Sequence, residues 1–100
     1  MSRRLIVRTE AEADISSAAL WYHEREEGLG LEFALEVRAA IGRVIANPEI
    51  HFLMRHHPEV RRILTRRFPY RIFFIVRNDA IVVIAVVHAA RLNRHWRKRL

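Results

Sequence analysis

The chain has 100 residues, of which 51% are hydrophobic and none is cysteine. This length supports one modest core, so we expect residues 1–100 to form a single domain. The composition excludes a disordered chain, a disulfide framework and thiolate chemistry. No apolar run approaches the ~18–20 residues that cross a bilayer, and the run from Leu5 stops at Arg8, so we expect a cytoplasmic protein without membrane contact.

Charge is distributed unevenly along the chain. The net charge is +7, and residues 55–100 contain 12 Lys and Arg residues against only Glu59 and Asp79, whereas residues 1–54 have an excess of acids. A basic second half predicts an acidic partner, either nucleic acid or an acidic protein segment. Lys98 is the only lysine, and the planar guanidinium of the arginines favours bidentate contacts with carboxylates and phosphates.

The first half predicts a strand followed by two helices. Residues 3–8 form the opening strand, and Thr9-Glu-Ala-Glu12 matches a capping box at a helix start. Gly28 and Gly30 separate this helix from a second one, which ends at Asn47-Pro48 because proline disfavours helical geometry in the preceding residue. Two apolar stripes predict a helical hairpin: Ala11, Ile15, Ala18, Ala19 and Tyr22, then Phe33, Val37, Ala40, Ile41, Val44 and Ile45.

The second half predicts three strands. Residues 49–59 indicate an irregular connection, and residues 60–65 form the first of these strands. Two apolar runs, 68–77 and 80–88, flank Asn78-Asp79 and predict a hairpin whose turn tolerates positive φ. Both runs are apolar on both faces, so the hairpin should be interior. The order predicts an α+β fold, β-α-α-β-β-β, with the helical hairpin packed on a mostly antiparallel four-stranded sheet.

Cofactor and metal sites are not expected. His51, His56 and His57 have no acids or cysteines at ligand spacing beside them, so we interpret them as surface histidines. The chain has three glycines, too few for a phosphate-binding loop, so a nucleotide cofactor is not expected either.

Taken in this order, the chain resembles the RelE/ParE superfamily of bacterial type II toxins, on the ParE side. The resemblance covers nearly the whole chain, and the order and spacing of its short motifs make it specific. In the first half these are Ala13-Asp-Ile15, Trp21-Tyr22, Leu29-Gly30, Phe33 and Asn47-Pro48. In the second half they are Val60-Arg-Arg62, Phe68-Pro-Tyr-Arg-Ile72, Asp79, Ile81-Val82, Ala85-Val-Val-His88, Arg91 and Trp96-Arg97.

The resemblance implies a toxin that inhibits growth and is neutralised by a cognate antitoxin, in a hetero-oligomeric complex. ParE-like members are associated with inhibition of DNA gyrase and have no chemistry of their own. RelE-like members are ribosome-dependent endoribonucleases that cut mRNA. A third reading is an accessory domain that binds nucleic acid through its basic end without catalysis.

Proton transfer separates the two toxin branches. RNA cleavage by a 2′-hydroxyl needs a proton acceptor, a proton donor and cations around the phosphate. The resemblance places Leu64 at the position of a RelE strand lysine and Arg97 roughly at that of the catalytic tyrosine. His88 remains as the acid–base candidate, because histidine exchanges protons near neutral pH. We therefore expect a non-catalytic toxin; the alternative nuclease site comprises Arg62, Arg71, His88 and Arg91.

The residues expected to bind a partner are mostly arginines of the second half, although several also have a structural interpretation. His88 can equally be a hydrogen-bonded core residue, and Arg71 can pair with a helix acid such as Glu36. Trp96 either folds back on the sheet or anchors a partner. The expected partner-binding set is Arg61, Arg62, Arg71, Arg91, Trp96 and Arg97.

Overall fold

A computed structural model of the protein describes residues 3–91 and 94–100. It contains two long helices, five strands in one mixed sheet and a short C-terminal helix. The predicted α+β architecture with a helical hairpin on a mostly antiparallel sheet is confirmed. The elements are β1 (Arg4–Val7), α1 (Thr9–Arg25), α2 (Leu29–Ala46), a 3-10 turn (Pro48–Ile50), β2 (Phe52–Met54), β3 (His57–Leu64), β4 (Tyr70–Val76), β5 (Ala80–His88) and α3 (Arg94–Arg97).

The sheet has the strand order β1-β5-β4-β3-β2, with β1 parallel to β5 and the other neighbours antiparallel. The sheet thus has five strands rather than the predicted four. The additional strand is β2, which lies in the segment predicted as an irregular connection. Strand β3 begins at His57 rather than at Val60. Phe52 and Leu53 pair with β3 but are both largely exposed. All three residues of β2 are apolar, and a run of three is too short to show the alternation by which a strand is detected in a sequence.

The helical hairpin turns at Gly28, whose φ of +86° is readily adopted only by glycine. The predicted α2 stripe is buried except for Ile45, which is half exposed. Gly30 belongs to α2 and allows its first turn to approach α1, because a Cβ here would collide with the carbonyl oxygen of Ala19. The predicted capping box is wrong in its contacts: α1 begins at Thr9 without a side-chain cap. No helix in the described ranges is long and apolar enough to cross a membrane.

The sheet carries a separate apolar cluster on each face. The helix face packs Ile72 and Phe74 of β4 against α1 and α2, whereas the opposite face, called here the second face, packs Phe73 and Ile75. Trp96 of α3 lies on the second face, fully buried and stacked on Phe73 with ring centroids 5.1 Å apart. The prediction that the central hairpin is interior is thus confirmed by two layers, α1–α2 and the C-terminal segment. Its turn closes through a hydrogen bond from the Arg77 amide to the Ala80 carbonyl oxygen. The positive φ expected at Asn78-Asp79 is wrong, because no non-glycine residue of the described part has positive φ.

A β-bulge in β5 determines which residues face the helices. Phe73 pairs with Ala85 but Phe74 pairs with Val83, so Ile84 is the extra residue. Ile84 and Ala85 both lie on the second face, and alternation resumes one residue out of step. Val86 consequently faces the helices, and so does His88. Without the bulge, strict alternation would place His88 on the second face.

Side chains satisfy the edge of β5 beside this bulge. Parallel pairing with β1 ends at Val83, leaving the backbone groups of Ile84 and Val86 without a strand partner on that side. The Val86 amide donates to Asp14 Oδ2 (2.9 Å), and Arg99 Nη1 donates to the Ile84 carbonyl oxygen (3.0 Å). Arg99 also binds Asp14 bidentately, at 2.6 and 3.0 Å, and Asp14 holds the pKa of this arginine above its ordinary value. Because Arg8 donates to the Arg99 carbonyl oxygen (2.7 Å), the C-terminal residues 96–100 form a clasp across this edge.

A pair of glycine variants tests the helix contact. Gly30→Ala is expected to destabilise the fold by about 1–3 kcal/mol, because the new methyl group meets the α1 backbone, which cannot move aside alone. Gly42→Ala is the matched control: its Cβ meets nothing within 4 Å, so the change should stabilise by about 0.5–1 kcal/mol. Urea unfolding measures both, and two effects of the same sign would contradict the assigned contact.

A second pair of variants tests the clasp. Asp14→Ala removes the acceptor of both the Val86 amide and the Arg99 guanidinium, and we expect a loss of about 2–3 kcal/mol in the free energy of unfolding. Asp79→Ala is the control, because its ion pair with Arg4 is 3.9 Å long and exposed, so its removal should cost less than about 1 kcal/mol. Equal losses in the two variants would show that the β5 edge does not depend on Asp14.

Candidate functional site

Arg62 and Arg71 lie side by side on the second face. Arg62 pairs with Phe73, and Arg71 pairs with Leu64, which places both guanidinium groups on the side of Phe73 and Trp96. Both side chains are half buried, and neither takes part in an ion pair among the described residues. Burial, and secondarily the charge of Arg71, lower the pKa of Arg62. The Nε of Arg71 is buried without a hydrogen-bond partner in the described chain. Two adjacent cations with spare donors fit an anionic group.

Exposed apolar side chains flank this arginine pair. The guanidinium of Arg62 lies 4.5 Å from the ring centroid of Phe52, which is 58% exposed. Leu64, on the same face, is 53% exposed. The surface formed by Phe52, Arg62, Leu64 and Arg71, called here the arginine face, therefore combines cations with apolar area. Such a combination suits a protein segment as well as a nucleic acid.

Arg61 belongs to the other side of β3 and has a structural contact. It pairs with Phe74, and its Nη1 donates to the carbonyl oxygens of Glu49 and His51 at 2.8 and 2.9 Å. These bonds hold the 3-10 turn and the start of β2 against β3. Sequence reasoning groups Arg61 with Arg62, but neighbouring residues in a strand point to opposite faces.

His88 and Arg91 lie on the helix face, at the mouth of a pocket between α1 and β5. The pocket has a volume of about 780 Å³ and is lined by Tyr22, Tyr70, His88 and Arg91 among others. His88 pairs with Tyr70, and their rings meet edge to face at 5.2 Å. Burial, followed by interaction with Tyr22, raises the pKa of Tyr70 to about 12, so its hydroxyl is protonated at neutral pH. The Ala90 amide donates to His88 Nδ1 at 3.0 Å.

The alternative nuclease site is therefore not assembled as the sequence suggests. Arg62 and Arg71 occupy the second face, whereas His88 and Arg91 occupy the helix face of the same sheet. An acid–base group must come within about 3 Å of the proton that it transfers, or act through one water. A phosphate on the arginine face is separated from His88 by the sheet. No group of three metal-ligating side chains is found in the part of the chain that the structure describes.

Some C-terminal side chains are buried in the fold, whereas others lie on the surface. Of the two interpretations of Trp96, the structure has the first: the ring folds back on the sheet, 0% exposed, and is out of reach of a partner in this conformation. Arg97 is exposed, 5.7 Å above the Trp96 ring centroid. Arg99, which sequence reasoning does not single out, donates three hydrogen bonds, two to Asp14 and one to the Ile84 carbonyl oxygen.

Glu36 does not pair with Arg71. Its Oε1 accepts hydrogen bonds from the amides of Arg66 and Arg67, at 2.6 and 3.1 Å, and so holds the β3–β4 turn. These two bonds are the main reason that the pKa of Glu36 is lowered. Arg71 is consequently left without this acid, which strengthens the arginine face as a candidate anion site.

The sequence family described as the ParE toxin of the type II toxin–antitoxin system, parDE, matches residues 5–93. The chain belongs to this family. No curated protein sequence matches it.

Solved structures share the fold at low sequence identity. One, described as the chromosomal ParDE toxin–antitoxin system from P. aeruginosa, is 16% identical, with a TM-score of 0.77 over 86% of this chain and 95% of the other. A free double arginine-to-alanine mutant of E. coli toxin RelE is 17% identical, with a TM-score of 0.67 over 99% and 94%. The same mutant bound to an antitoxin RelBc peptide is 20% identical, with a TM-score of 0.59 over 100% and 96%. The ParE and RelE branches thus share this architecture.

A pH series tests the role of Glu36. Because its pKa is lowered in the folded state from the ordinary value of 4.5, its ionised form stabilises the fold above that value, and this contribution is lost as the pH falls through the lower folded value. Glu36→Gln should therefore be less stable than the parent protein at pH 7, and the difference should vanish in acid. Urea unfolding along the pH series measures it. Equal stability of Glu36→Gln and the parent protein at pH 7 would contradict the assigned role of this carboxylate.

Proposed function

We propose that this ParE-family protein inhibits bacterial growth in the cytoplasm by binding DNA gyrase, without chemistry of its own. The observation that carries the proposal is the division of the cationic and imidazole groups between opposite faces of the sheet. Cleavage of RNA needs cations and a proton-transfer group around one phosphate. Binding of a protein target has no such requirement, because separate surfaces contribute independently to an interface.

The hydrogen bond of His88 supports the same reading. Its Nδ1 accepts from the Ala90 amide, so the proton of the neutral ring lies on Nε2. In this tautomer Nε2 donates and has no lone pair with which to accept a proton. A general base at this position would first have to lose the contact with the backbone. The local structure therefore favours a positioning role for His88.

The cognate antitoxin is proposed to cover the arginine face with an acidic segment. Arg62 and Arg71 are partly desolvated already, and a carboxylate would give them the counter-charge that the described chain does not supply. Phe52 and Leu64 would pack against apolar side chains of the same segment. Arg97 is exposed beside the Trp96 ring and would extend this basic surface toward the C-terminal end, in a hetero-oligomeric complex.

A ribosome-dependent endoribonuclease is the second candidate. The observation that favours it is the arginine pair itself, since unneutralised guanidinium groups on an open sheet face suit an RNA phosphate as well as a carboxylate. On this reading the proton-transfer group would have to come from the substrate complex or the ribosome.

Purified components distinguish the two candidates. We expect the protein to inhibit supercoiling by gyrase and to leave ribosome-bound mRNA intact. His88→Ala should retain inhibition within about twofold, since a group that only positions the backbone contributes little to an interface. Unaffected supercoiling at saturating protein, together with mRNA cleavage that Arg71→Ala abolishes, would replace the gyrase proposal with the nuclease.

The antitoxin proposal is tested separately, with the product of the gene encoded beside the toxin. The double variant Arg62→Ala/Arg71→Ala should bind it at least about tenfold more weakly, because a carboxylate at the interface would lose both cations. Arg38→Ala, an exposed arginine on the outer side of α2, is the matched control and should bind like the parent protein. Equal affinity of the double variant and the control would remove the arginine face from the antitoxin interface.

A further inference from the structure

The pocket between α1 and β5 is a second preformed surface, on the opposite side of the sheet from the arginine face. We propose that it binds a short extended segment of a partner protein, in which an acidic side chain follows aromatic or aliphatic ones. The proposal goes beyond the function proposed above, because it concerns a different face and does not depend on gyrase being the target.

The dimensions of the pocket fit a peptide. Its α1 wall runs from Ala13 to Tyr22, which corresponds to about 13 Å at the helical rise of ~1.5 Å per residue. An extended chain covers this length with about four residues, at ~3.3 Å each. The volume of 780 Å³ lies within the range of roughly 300–1,000 Å³ that is usual for ligand pockets.

The walls of the pocket are aromatic and apolar along most of this length. Trp21, Tyr22 and Tyr70 contribute rings, and Ala18 and Val86 contribute small apolar surfaces between them. Trp21 is 49% exposed although the guanidinium of Arg25 lies 3.5 Å from its ring centroid. Aromatic side chains that are rigid and half exposed are preferred anchors of protein interfaces. They predict aromatic or aliphatic side chains in the bound segment.

The charged side chains of the pocket favour a negatively charged group in the ligand. Asp14 and Arg99 neutralise each other at one end. Arg91 lies at the other end, near Tyr70, and it is exposed and forms no ion pair within the described residues. The Tyr70 hydroxyl and the Nε2–H of His88 are hydrogen-bond donors of the same pocket. One unpaired cation among hydrogen-bond donors complements a carboxylate and disfavours a basic segment.

The two tryptophans report whether a peptide binds in the pocket, because Trp21 lines the pocket whereas Trp96 is buried on the second face. The probe is the tetrapeptide acetyl-Leu-Ala-Phe-Glu-amide, titrated into protein carrying ¹⁵N in its indole groups. We expect the Trp21 indole signal to shift saturably at peptide concentrations of up to about 10 mM, while the Trp96 signal stays in place. The matched peptide with glutamine in place of glutamate should bind about three- to fivefold more weakly, because it offers Arg91 no charge.

Two pairs of variants locate the binding. Ser17→Phe fills the pocket and should abolish the shift, whereas Ser16→Phe, on the neighbouring exposed position outside the pocket, should not. Arg91→Gln should bind both peptides equally, whereas Arg97→Gln, outside the pocket, should keep the preference for glutamate. Thermal melts establish that each variant is folded. If Ser17→Phe is not folded, the comparison of Arg91→Gln with Arg97→Gln decides the question.

Several outcomes would overturn the proposal. These are an unmoved Trp21 signal, equal shifts of both indoles, a glutamate preference that survives Arg91→Gln, or Ser17→Phe binding like Ser16→Phe. A Trp21 shift that follows protein concentration without peptide would assign the pocket to a second copy of the chain instead. None of these results bears on inhibition of gyrase or on antitoxin binding by the arginine face, so the proposals fail separately.

Discussion

The bulge in β5, and the two side chains that satisfy the strand edge beside it, are the constraint on which the arrangement of both surfaces depends. A bulge leaves backbone groups out of the regular ladder, and here Asp14 accepts from the Val86 amide while Arg99 donates to the Ile84 carbonyl oxygen. A buried amide without a partner costs about 1–3 kcal/mol, so the ion pair stabilises the bulge as well as the clasp. One pair of charges thereby links α1, β5 and the C-terminal residues.

The consequence of the bulge is a protein with two different faces. Because alternation shifts by one residue at Ile84, His88 is directed to α1 rather than to the arginine face. The imidazole then joins Tyr22 and Tyr70 in a pocket with aromatic walls, whereas the paired arginines lie on the other face, with Phe52 beside Arg62. The residues of the candidate nuclease site are divided between the two faces by a change in register that alters no residue type.

Much of the fold follows from the sequence because its elements have strong periodic signals. The α2 stripe and the double-sided apolar hairpin predict the helix layer and the interior strands, and the resemblance to the RelE/ParE superfamily agrees with both. The division of the candidate site does not follow, because residues 81–87 are apolar without exception and cannot indicate where alternation changes. Strand β2 has no such signal either, because its three residues, Phe52–Met54, are all apolar and too few to show a period.

The C-terminal clasp, residues 96–100, contacts both faces of the sheet. Its displacement by a partner would be costly in free energy, so partners that leave the clasp bound to the sheet are favoured. Its displacement would expose Trp96, an apolar side chain worth on the order of 2–3 kcal/mol when buried. It would also leave the Ile84 carbonyl oxygen without its donor and separate Arg99 from Asp14. A partner that displaced the clasp would have to replace all of these contacts before gaining affinity. We therefore expect partners to meet the arginine face and the pocket with the clasp in place, and Arg97 of the clasp stays exposed.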